Sequence, residues 1–307
     1  MSFAMFLSRT LFRTLYRLIS VALLSSALPL SSALAADAVT VYAAGDIADC
    51  RDTSAANSDA LRTAKLLQPL LQQDPQARVL TLGDNTYPVG APSEFRDCYQ
   101  PTWGQFKSRT HPSPGNHDYY TAQGAGYYDY FGELAGPQKR GYYRVQIGSW
   151  QVFSLNSNLK GVEQKDQIAW LKQELAANPA RCTLAYWHHP VFSSGGHGNS
   201  SRMQAVWDTL AAANADLVLV GHDHDYERFA PQDPEGKLDP ARGIAQFVVG
   251  TGGSGLSPFG MRRANSEKGQ NEVHGVLKLV LKDDGYDWQF LAVDATRFQD
   301  KGSAACH

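Results

Sequence analysis

Five short segments of the sequence carry residue types that bind metal ions in proteins. In each one an apolar run is followed, usually after a glycine, by aspartate, asparagine or histidine. The segments are Gly45-Asp46, Gly83-Asp84, Gly115-Asn116-His117, Trp187-His188 and Gly221-His222-Asp223-His224. A single aspartate after a strand is usually a turn or N-cap residue. Five such segments in one chain favour a common site.

The strands expected before these segments explain how such distant residues could meet. Ligand-binding groups gather beyond the carboxyl ends of parallel strands, where glycine allows a sharp turn. On an extended segment His222 and His224 would face one side and Asp223 the other. Of the neighbours His188 and His189, a strand end can direct only one inward. No single ion needs all these groups, so we predict two metal ions bridged by both oxygens of one carboxylate.

Taken together, the motifs resemble those of the calcineurin-like metallophosphoesterases. They are GD (45–46), GDNTY (83–87), GNHD (115–118), HHP (188–190) and GHDHDYER (221–228). Tyr87, three residues after Asp84, and the Tyr-Glu-Arg that follows the last histidine are similar to the purple acid phosphatase branch. The likeness is to its small, single-domain bacterial type, and it covers nearly the whole chain after the N-terminal segment.

The resemblance implies which residues hold the metal ions. One ion, iron(III) in purple acid phosphatases, would be held by Asp46, Tyr87 and His224. The second, usually zinc, iron(II) or manganese, would be held by Asn116, His188 and His222. Asp84 would bridge the two ions. His188 is matched instead of His189 because Pro190 fixes the register of the His-x-Pro pattern. The alternative for Tyr87 is an aromatic side chain packed in its loop.

The resemblance also implies a reaction and a fold. His117 would contact the phosphate or protonate the leaving group, and His197 would contact the phosphate. The expected fold class is α/β (α+β), a four-layer αββα sandwich with two mixed sheets. The expected activity is that of an acid phosphatase-like hydrolase, in which a metal-bound hydroxide attacks phosphate monoesters. The alternatives are a phosphodiesterase for cyclic nucleotides or glycerophosphodiesters, and a non-catalytic protein that binds metal or phosphate.

Apolar patterning predicts the elements that carry these motifs. Strands are expected at 39–43, 79–82, 183–187 and 217–220, as a pair within 142–157, and as a hairpin at 276–293. Helices are expected at 61–71, 164–177 and 203–213. The segment 87–109 reads as a polar and aromatic insertion. Strands alternate with helices early and form hairpins late, which is typical of mixed sheets.

The first 35 residues have the composition of a signal peptide. Arg9, Arg13 and Arg17 precede an apolar run, 18–30, which is followed by Ser31-Ser32-Ala33-Leu34-Ala35. We predict cleavage after Ala35 and a catalytic domain at 36–307, located in the periplasm or secreted. A membrane anchor is the alternative, but the run is shorter than the roughly 20 residues that a span needs.

Composition limits the class of protein and its partners. The chain has 307 residues, of which 43% are hydrophobic and 19% charged, which excludes a disordered chain. The full chain has 28 Lys and Arg against 30 Asp and Glu. Loss of the three arginines of the predicted signal would make this balance more acidic. The acidic balance disfavours nucleic acid and favours a small phosphate ester. No membrane contact is expected after signal cleavage, and the oligomeric state is left open.

An exported chain with four cysteines poses a question of disulfide pairing. Of the three connectivities, we predict Cys50 with Cys98 and Cys182 with Cys306. Cys182 opens a strand, and Cys306 is the penultimate residue. A zinc site is disfavoured because no two cysteines have ligand spacing.

Several further residues carry weaker expectations. Asp118 and Asp223 are expected to orient metal-binding histidines. Segment 193–196 is expected to form a mobile rim, and the glycine-rich segment 250–255 a flexible loop near the site. No metal or phosphate role is expected for His111, His274 and His307.

Overall fold

The computed structural model describes residues 38–51 and 54–307. The predicted signal peptide and its cleavage site therefore lie outside the described residues. The strands are Val39–Ala44 (β1), Ala48–Asp49 (β2), Arg78–Leu82 (β3), Thr86–Tyr87 (β4), Thr110–Ser113 (β5), Tyr143–Ile147 (β6), Trp150–Ser154 (β7), Thr183–Tyr186 (β8), Leu217–Val220 (β9), Tyr226–Gln232 (β10), Ile244–Val249 (β11), Ser266–Gln270 (β12), Gly275–Lys282 (β13), Gly285–Ala292 (β14) and Lys301–Ala305 (β15).

Helices connect the parallel strands. They are Asp59–Gln73 (α1), Pro92–Glu94 (α2), Ala125–Phe131 (α3), Gly161–Ala177 (α4) and Gln204–Ala212 (α5). Shorter 3₁₀ segments are Ala55–Asn57, Trp103–Arg109, Ala122–Gly124, Gly132–Ala135, Pro137–Lys139 and Ser201–Met203, and Phe95–Tyr99 is a π-helical turn. Ser58 caps α1 by accepting a hydrogen bond from the Leu61 amide.

Two mixed sheets form the centre of the molecule. The first is 6-stranded in the order β15-β14-β13-β1-β3-β5, and the second is 7-stranded in the order β12-β10-β11-β9-β8-β7-β6. Strands β1, β3 and β5 are mutually parallel, and so are β7, β8, β9 and β11. The outer strands pair antiparallel to these groups.

Alternate residues of the second sheet belong to two different cores. Leu184, Leu217 and Leu219 pack with side chains of the first sheet, such as Leu277. The residues between them, such as Val218, pack instead with buried residues of α4 and α5, including Leu171, Val206 and Trp207. Helix α1 packs with the first sheet through Ala60, Leu67 and Leu71. The layers are therefore helix, sheet, sheet and helix, as predicted.

The apolar pattern predicted the central elements and missed several outer ones. Every predicted strand and helix is present, with ends shifted by at most three residues. Strands β5, β10, β12 and β15 were not predicted, and they contain proline, charged or small residues instead of an apolar alternation. The two-residue strands β2 and β4 and the apolar strand β11 were also missed. The insertion 87–109 is partly helical, since α2, the π-helical turn and a 3₁₀ segment lie within it.

Both predicted disulfides are present. Cys50 and Cys98 have Cα atoms 5.9 Å apart, and Cys182 and Cys306 have Cα atoms 5.5 Å apart. The second bridge attaches the end of the chain to the start of β8. Across the part of the chain that the structure describes, no helix combines the length and apolar character needed to cross a membrane.

Candidate metal centre

The predicted donor residues lie on loops that follow parallel strands of both sheets. Asp46, Asp84 and Asn116 follow β1, β3 and β5 of the first sheet. His188 follows β8, and His222 and His224 follow β9, in the second sheet. The carboxyl ends of these strands form one edge, which brings residues up to 178 positions apart into contact.

A first group of donor atoms surrounds the Tyr87 hydroxyl. This hydroxyl donates to Asp46 Oδ1 at 2.6 Å and lies 3.0 Å from both Asp84 Oδ2 and His224 Nε2. His224 Nε2 is also 3.3 Å from Asp46 Oδ1. The phenol oxygen is therefore directed at the acidic centre, unlike an aromatic residue that only packs in its loop.

A second group surrounds His188. Its Nε2 atom lies 3.1 Å from Asn116 Oδ1, 3.2 Å from His222 Nδ1 and 3.2 Å from Asp84 Oδ2. His189 is directed elsewhere, since its Nδ1 lies 2.8 Å from the Ser157 hydroxyl. His188 is thus the inward member of the pair, as the His-x-Pro register predicted.

One oxygen of Asp84 belongs to both groups. Asp84 Oδ2 faces Tyr87 and His188, whereas Oδ1 accepts a hydrogen bond of 2.8 Å from the His117 amide. The bridge through both carboxylate oxygens stays a prediction, and in this conformation Oδ2 is the oxygen that both groups share. The backbone amide occupies one oxygen and leaves the other to be shared.

Unusual backbone conformations bring the chain close to the two carboxylates. Asp46, Asp84 and His222 have φ values of 60°, 47° and 73°. Positive φ costs free energy for residues other than glycine, and such strain is concentrated at functional sites. A Cβ at Gly115 would lie 2.0 Å from Asp84 Oδ1, so only glycine fits there. The extended segment expected around His222 is wrong, because the chain turns there and its amide donates to Asp46 Oδ2 at 2.9 Å.

Backbone carbonyls fix the orientation of three histidine rings. His188 Nδ1 lies 2.9 Å from the Leu82 oxygen, His224 Nδ1 lies 2.7 Å from the Gly255 oxygen, and His117 Nδ1 lies 2.6 Å from the Pro88 oxygen. A carbonyl can only accept, so each Nδ1 carries the proton and Nε2 faces the site. Histidine ligands of metal ions are held in this way.

The electrostatics of the site favour a cation. Burial raises the pKa of Tyr87 far above its ordinary value, and the neighbouring charges of Asp46 and Asp84 raise it further. Burial lowers the pKa of His188, but the charge of Asp84, the hydrogen bond to it and the charge of Asp46 together outweigh burial and raise the pKa to about 9. For His224, the charge of Asp46 and the hydrogen bonds to Asp46 and Gly255 together outweigh burial, and the pKa is also raised to about 9. Without a metal ion, protons must therefore supply the positive charge.

The donor set fits metal ions chemically. It combines carboxylate, phenol, amide and imidazole groups, and Asp46, Asp84 and His188 offer ligand atoms that all lie within 4.8 Å of one another. Ligands bound at about 2.0–2.2 Å lie roughly 3 Å apart around an ion, which matches the 3.0–3.3 Å separations here. Imidazole and carboxylate mixtures suit zinc, iron and manganese.

His117 lies at the edge of this centre. Its Nε2 atom is 3.9 Å from Asp84 Oδ2, and its ring contacts Tyr87 and Tyr120 with centroid distances of 4.3 and 4.6 Å. Tyr120 is 60% exposed and covers the outer side of His117. The Pro88 carbonyl fixes the ring so that Nε2 faces the centre.

His197 lies at the rim and is held by Asp223. Asp223 Oδ1 accepts from the His197 amide at 2.7 Å and from Nδ1 at 3.0 Å. The His197 ring lies against His222 with a centroid distance of 4.2 Å. The hydrogen bond to Asp223 raises the pKa of His197, which favours its cationic form. Asp223 therefore orients His197, the predicted phosphate contact, and not one of the metal-binding histidines as expected.

Segment 193–196 is tied down instead of forming the expected mobile rim. The Ser193 hydroxyl donates to Asp223 Oδ2, and the Ser194 amide donates to Glu227 Oε2 at 2.8 Å. Glu227 is buried and also accepts from Arg262 Nη1 at 3.2 Å and from the Ser266 hydroxyl. Two buried carboxylates thus anchor the segment that leads to His197.

Asp118 does not orient a histidine, contrary to expectation. Its carboxylate accepts from the Gly115 amide at 2.8 Å, and from the amide and side chain of Asn85 at 3.0–3.2 Å. It therefore joins the loop after β3 to the loop after β5. Burial and the charge of Asp84 raise its pKa to about 7.

Sequence reasoning missed Glu94, which shapes the loop after Tyr87. Its Oε2 atom accepts from the Gly90 amide at 2.8 Å and from the Ala91 amide at 3.1 Å. Glu94 is the last residue of the short helix α2, and its side chain binds the loop that precedes this helix. The sequence pattern therefore did not indicate that Glu94 holds this loop.

The glycine-rich segment 250–255 forms part of the wall of the centre. The Ser254 amide donates to the backbone carbonyl oxygen of Asp46 at 2.9 Å, and the Gly252 amide donates to that of Gly45 at 2.9 Å. A Cβ at Gly250 would lie 2.9 Å from Asp46 Oδ2. The expected position near the site is correct, but hydrogen bonds fix the loop.

Comparison with known proteins identifies the family. Residues 37–226, more than half of the chain, match the family model described as calcineurin-like phosphoesterase. The chain belongs to this family, whose members are metal-dependent hydrolases of phosphate esters that hold two metal ions. The predicted family and enzyme class are therefore confirmed.

Individual relatives cover parts of the chain. Purple acid phosphatase 18 of Arabidopsis thaliana is 28% identical over 128 residues, which are 40% of this chain and 29% of that protein. The 3′,5′-cyclic adenosine monophosphate phosphodiesterase CpdA of Escherichia coli K12 is 34% identical over 122 residues, 36% of this chain and 42% of that protein. The alignments thus span less than half the length of each of these relatives.

A solved structure shares the fold. Purple acid phosphatase PPD1 from yellow lupin seeds has a TM-score of 0.68 at 18% identity, covering 88% of this chain and 54% of that chain. The likeness confirms the predicted mixed α/β architecture. At this identity it bears on the fold alone.

The Asp223–His197 pair yields a first prediction. Asp223→Asn removes the negative charge, so that the hydrogen bond to His197 is no longer charge-assisted and holds the ring less firmly. We expect the KM for p-nitrophenyl phosphate to rise about tenfold, the loss of one charge-assisted hydrogen bond. His197→Ala should have a similar effect, and the double variant should be no worse than either single one, as steady-state kinetics can measure.

A matched control exists at the opposite end of the sheet. Asp216 accepts from the Thr183 amide at 2.8 Å, and His307 Nδ1 lies 3.0 Å from its Oδ1. Asp216→Asn removes the same kind of contact and should leave KM unchanged. Additive effects of Asp223→Asn and His197→Ala would show that Asp223 does not act through His197.

Proposed function

We propose that this protein is an exported dinuclear-metal phosphatase that hydrolyses phosphate monoesters. The observation that carries the proposal is the shared oxygen Asp84 Oδ2, which lies 3.0 Å from the Tyr87 hydroxyl and 3.2 Å from His188 Nε2. Two groups of donors that meet at one carboxylate oxygen suit a pair of metal ions. The phenol in one group favours the purple acid phosphatase branch.

The proposed ligands divide between two ions. Iron(III) would be held by Asp46, Tyr87 and His224. Zinc(II), iron(II) or manganese(II) would be held by Asn116, His188 and His222. Asp84 would contact both ions. When bound, the ions would lower the pKa of a water molecule and neutralise charge on the phosphate.

Protein groups would then bind the ester and move a proton. His197, with its pKa raised by Asp223, would donate a hydrogen bond to a phosphate oxygen. His117, with Nδ1 held by Pro88, would in its doubly protonated form give the Nε2 proton to the departing oxygen and keep the proton on Nδ1. Both rings are fixed before substrate binds, which lowers the cost of reaching the reactive geometry.

A phosphodiesterase is the second candidate. The specific observation in its favour is the 34% identity with CpdA, named as a cyclic adenosine monophosphate phosphodiesterase, over 122 residues. A diester needs space for a second arm beside the metal centre. The non-catalytic alternative is disfavoured because every predicted ligand position carries a donor atom.

Export is part of the same proposal. The two disulfides are typical of proteins from oxidising compartments. The predicted signal peptide at 1–35 and a catalytic domain at 36–307 agree with a periplasmic or secreted location. We propose no nucleic-acid partner and no membrane contact after cleavage.

Asp84→Asn tests the shared ligand. The amide cannot bridge two cations as a carboxylate does, so we expect loss of bound metal together with at least a 100-fold loss of kcat, roughly the scale of removing one catalytic electrostatic group. Elemental analysis and p-nitrophenyl phosphate hydrolysis measure the two effects. Asp300→Asn is the control, since Asp300 is also buried and accepts from a tyrosine hydroxyl, that of Tyr226, at 2.7 Å. Full turnover by Asp84→Asn would contradict the bridging role.

Tyr87→Phe tests the assignment of iron. A phenolate bound to iron(III) absorbs visible light, so the iron-loaded protein should be violet and the variant should lose that band while it still folds. Tyr99→Phe is the matched control, because the buried Tyr99 hydroxyl has no hydrogen-bond partner among the described residues. A colourless wild-type protein with two metal ions per chain would refute phenolate ligation.

The choice between the two ester classes can be measured directly. We expect higher kcat/KM for p-nitrophenyl phosphate than for bis(p-nitrophenyl) phosphate between about pH 5 and 9, and loss of both activities with a chelator. Preference for the diester would move the assignment to phosphodiesterase. Activity that survives complete metal removal would contradict the dinuclear mechanism.

A further inference from the structure

A large cavity lies at the same edge of the second sheet as the metal centre. Its volume is about 1130 Å³, and it is lined by Gln138, Lys139, Arg140, Tyr142, residues 158–160 and one face of α4, together with Tyr119. Strand β7 runs parallel to β8, so the loop 155–160 after β7 lies at the same edge as His188. The cavity therefore shares this edge with the metal centre and contains none of its proposed ligands.

A buried polar network joins the cavity wall to the loop that carries Asn116 and His117. The Asn156 side chain donates to the Tyr119 hydroxyl at 2.8 Å and to the Arg140 oxygen at 3.0 Å. Asn158 Nδ2 donates to the Pro114 oxygen at 3.2 Å. Both asparagines thus connect cavity residues with residues 114–119.

The network also fixes the wall to α4. The backbone amide of Asn156 donates to Gln167 Oε1 at 2.8 Å, and Gln167 Nε2 donates to the backbone oxygen of Asn156 at 3.1 Å. Gly141 has a φ of 72°, and a Cβ there would lie 2.8 Å from Asn156 Nδ2. The wall is thus built by satisfied buried groups, which makes it a formed site and not a gap between loops.

One side of the cavity is aromatic. Trp170 packs on Tyr142 with a centroid distance of 4.9 Å, and Tyr119, two residues after His117, also lines the cavity. Trp170 and Tyr119 are only partly buried. They offer ring surface that a planar organic group can cover.

The rim of the cavity carries cations. Arg140 lies over the Tyr142 ring at 5.8 Å, and its other side-chain contact is with exposed Gln138. Lys160 precedes α4 and is exposed, and Lys139 pairs with Asp129 at 3.2 Å. Glu163 and Asp166 also line the cavity, so the lining carries charges of both signs. Arg140 and Lys139 lie on the segment before β6, and Lys160 lies at the end of the loop after β7.

We propose that this cavity binds the non-reacting arm of the substrate, and that the arm carries an aromatic ring and a second anionic group. The ring would cover Trp170 and Tyr119, and the anionic group would pair with Arg140 and Lys160. The inference rests on the proposed function, because the reacting phosphate would occupy the metal centre. A nucleoside diphosphate has this combination of groups.

Charge reversal tests the anionic contact on the metal-loaded protein. The double variant Arg140→Glu/Lys160→Glu should raise the KM for adenosine diphosphate about tenfold or more, while the KM for p-nitrophenyl phosphate changes less than about twofold. The small ester has no second anionic group, so only the larger substrate should respond. Lys165→Glu is the matched control, since Lys165 is exposed on α4 and does not line the cavity.

Trp170→Leu tests the aromatic contact. It should raise the KM for adenosine diphosphate and leave that for fructose 1,6-bisphosphate, which has a second anionic group and no ring, unchanged. Thermal unfolding identifies any loss of packing against Tyr142. Equal changes for all substrates, or no change for adenosine diphosphate in the charge-reversal variant, would overturn the proposal.

A binding measurement separates this proposal from the proposed function. Calorimetric titration with adenosine 5′-α,β-methylene diphosphate, which cannot be hydrolysed, should give a dissociation constant about tenfold weaker in the charge-reversal variant than in wild type. If wild type hydrolysed no phosphate ester but showed this difference, the proposed function would fail and the cavity assignment would stand. Equal affinity in an active enzyme would refute the cavity assignment alone.

Discussion

Two buried carboxylates, those of Asp46 and Asp84, approach the same phenol, and the rest of the site is arranged around them. Buried like charges are strongly unfavourable unless groups of opposite charge or hydrogen-bond donors compensate. The His222 backbone amide donates a hydrogen bond to the carboxylate of Asp46, and the His117 backbone amide donates one to that of Asp84. Those amides reach the carboxylates only because the chain turns sharply, with positive φ at His222 and with Gly115 against Asp84. The strained loops are thus a consequence of holding two acids together in the interior.

The central part of this arrangement could be predicted from sequence because it is local. Asp84 directly follows an apolar strand and a glycine, so its position at a sheet edge can be predicted from a few consecutive residues. The same holds for His188 after β8. The order of such segments also resembles one family strongly, and the family match covers residues 37–226. The pairing of Cys182 with Cys306, 124 residues apart, was chosen among three connectivities, and no local pattern determines it.

Other features depend on contacts that no local pattern records. Asp118 binds Asn85, 33 residues away, and Glu227 binds Ser194, also 33 residues away. Nothing in either motif distinguishes a carboxylate that orients a histidine from one that joins two loops. Edge strands were missed for a related reason. Strand β12, with exposed glutamate and lysine, is stabilised by pairing with β10 and not by an apolar face.

The division of the donors between two sheets has a thermodynamic consequence. Asp46, Asp84 and Asn116 belong to one sheet, and His188, His222 and His224 to the other, so the full set exists only when the sheets are packed together. Ions that bind this set bind the folded chain and not the unfolded one. By mass action their binding adds to the free energy of unfolding by RT ln(1 + [M]/Kd), about 4 kcal/mol at a thousandfold excess over Kd. Metal supply would thereby set the stability of the folded chain, as well as whether it can react.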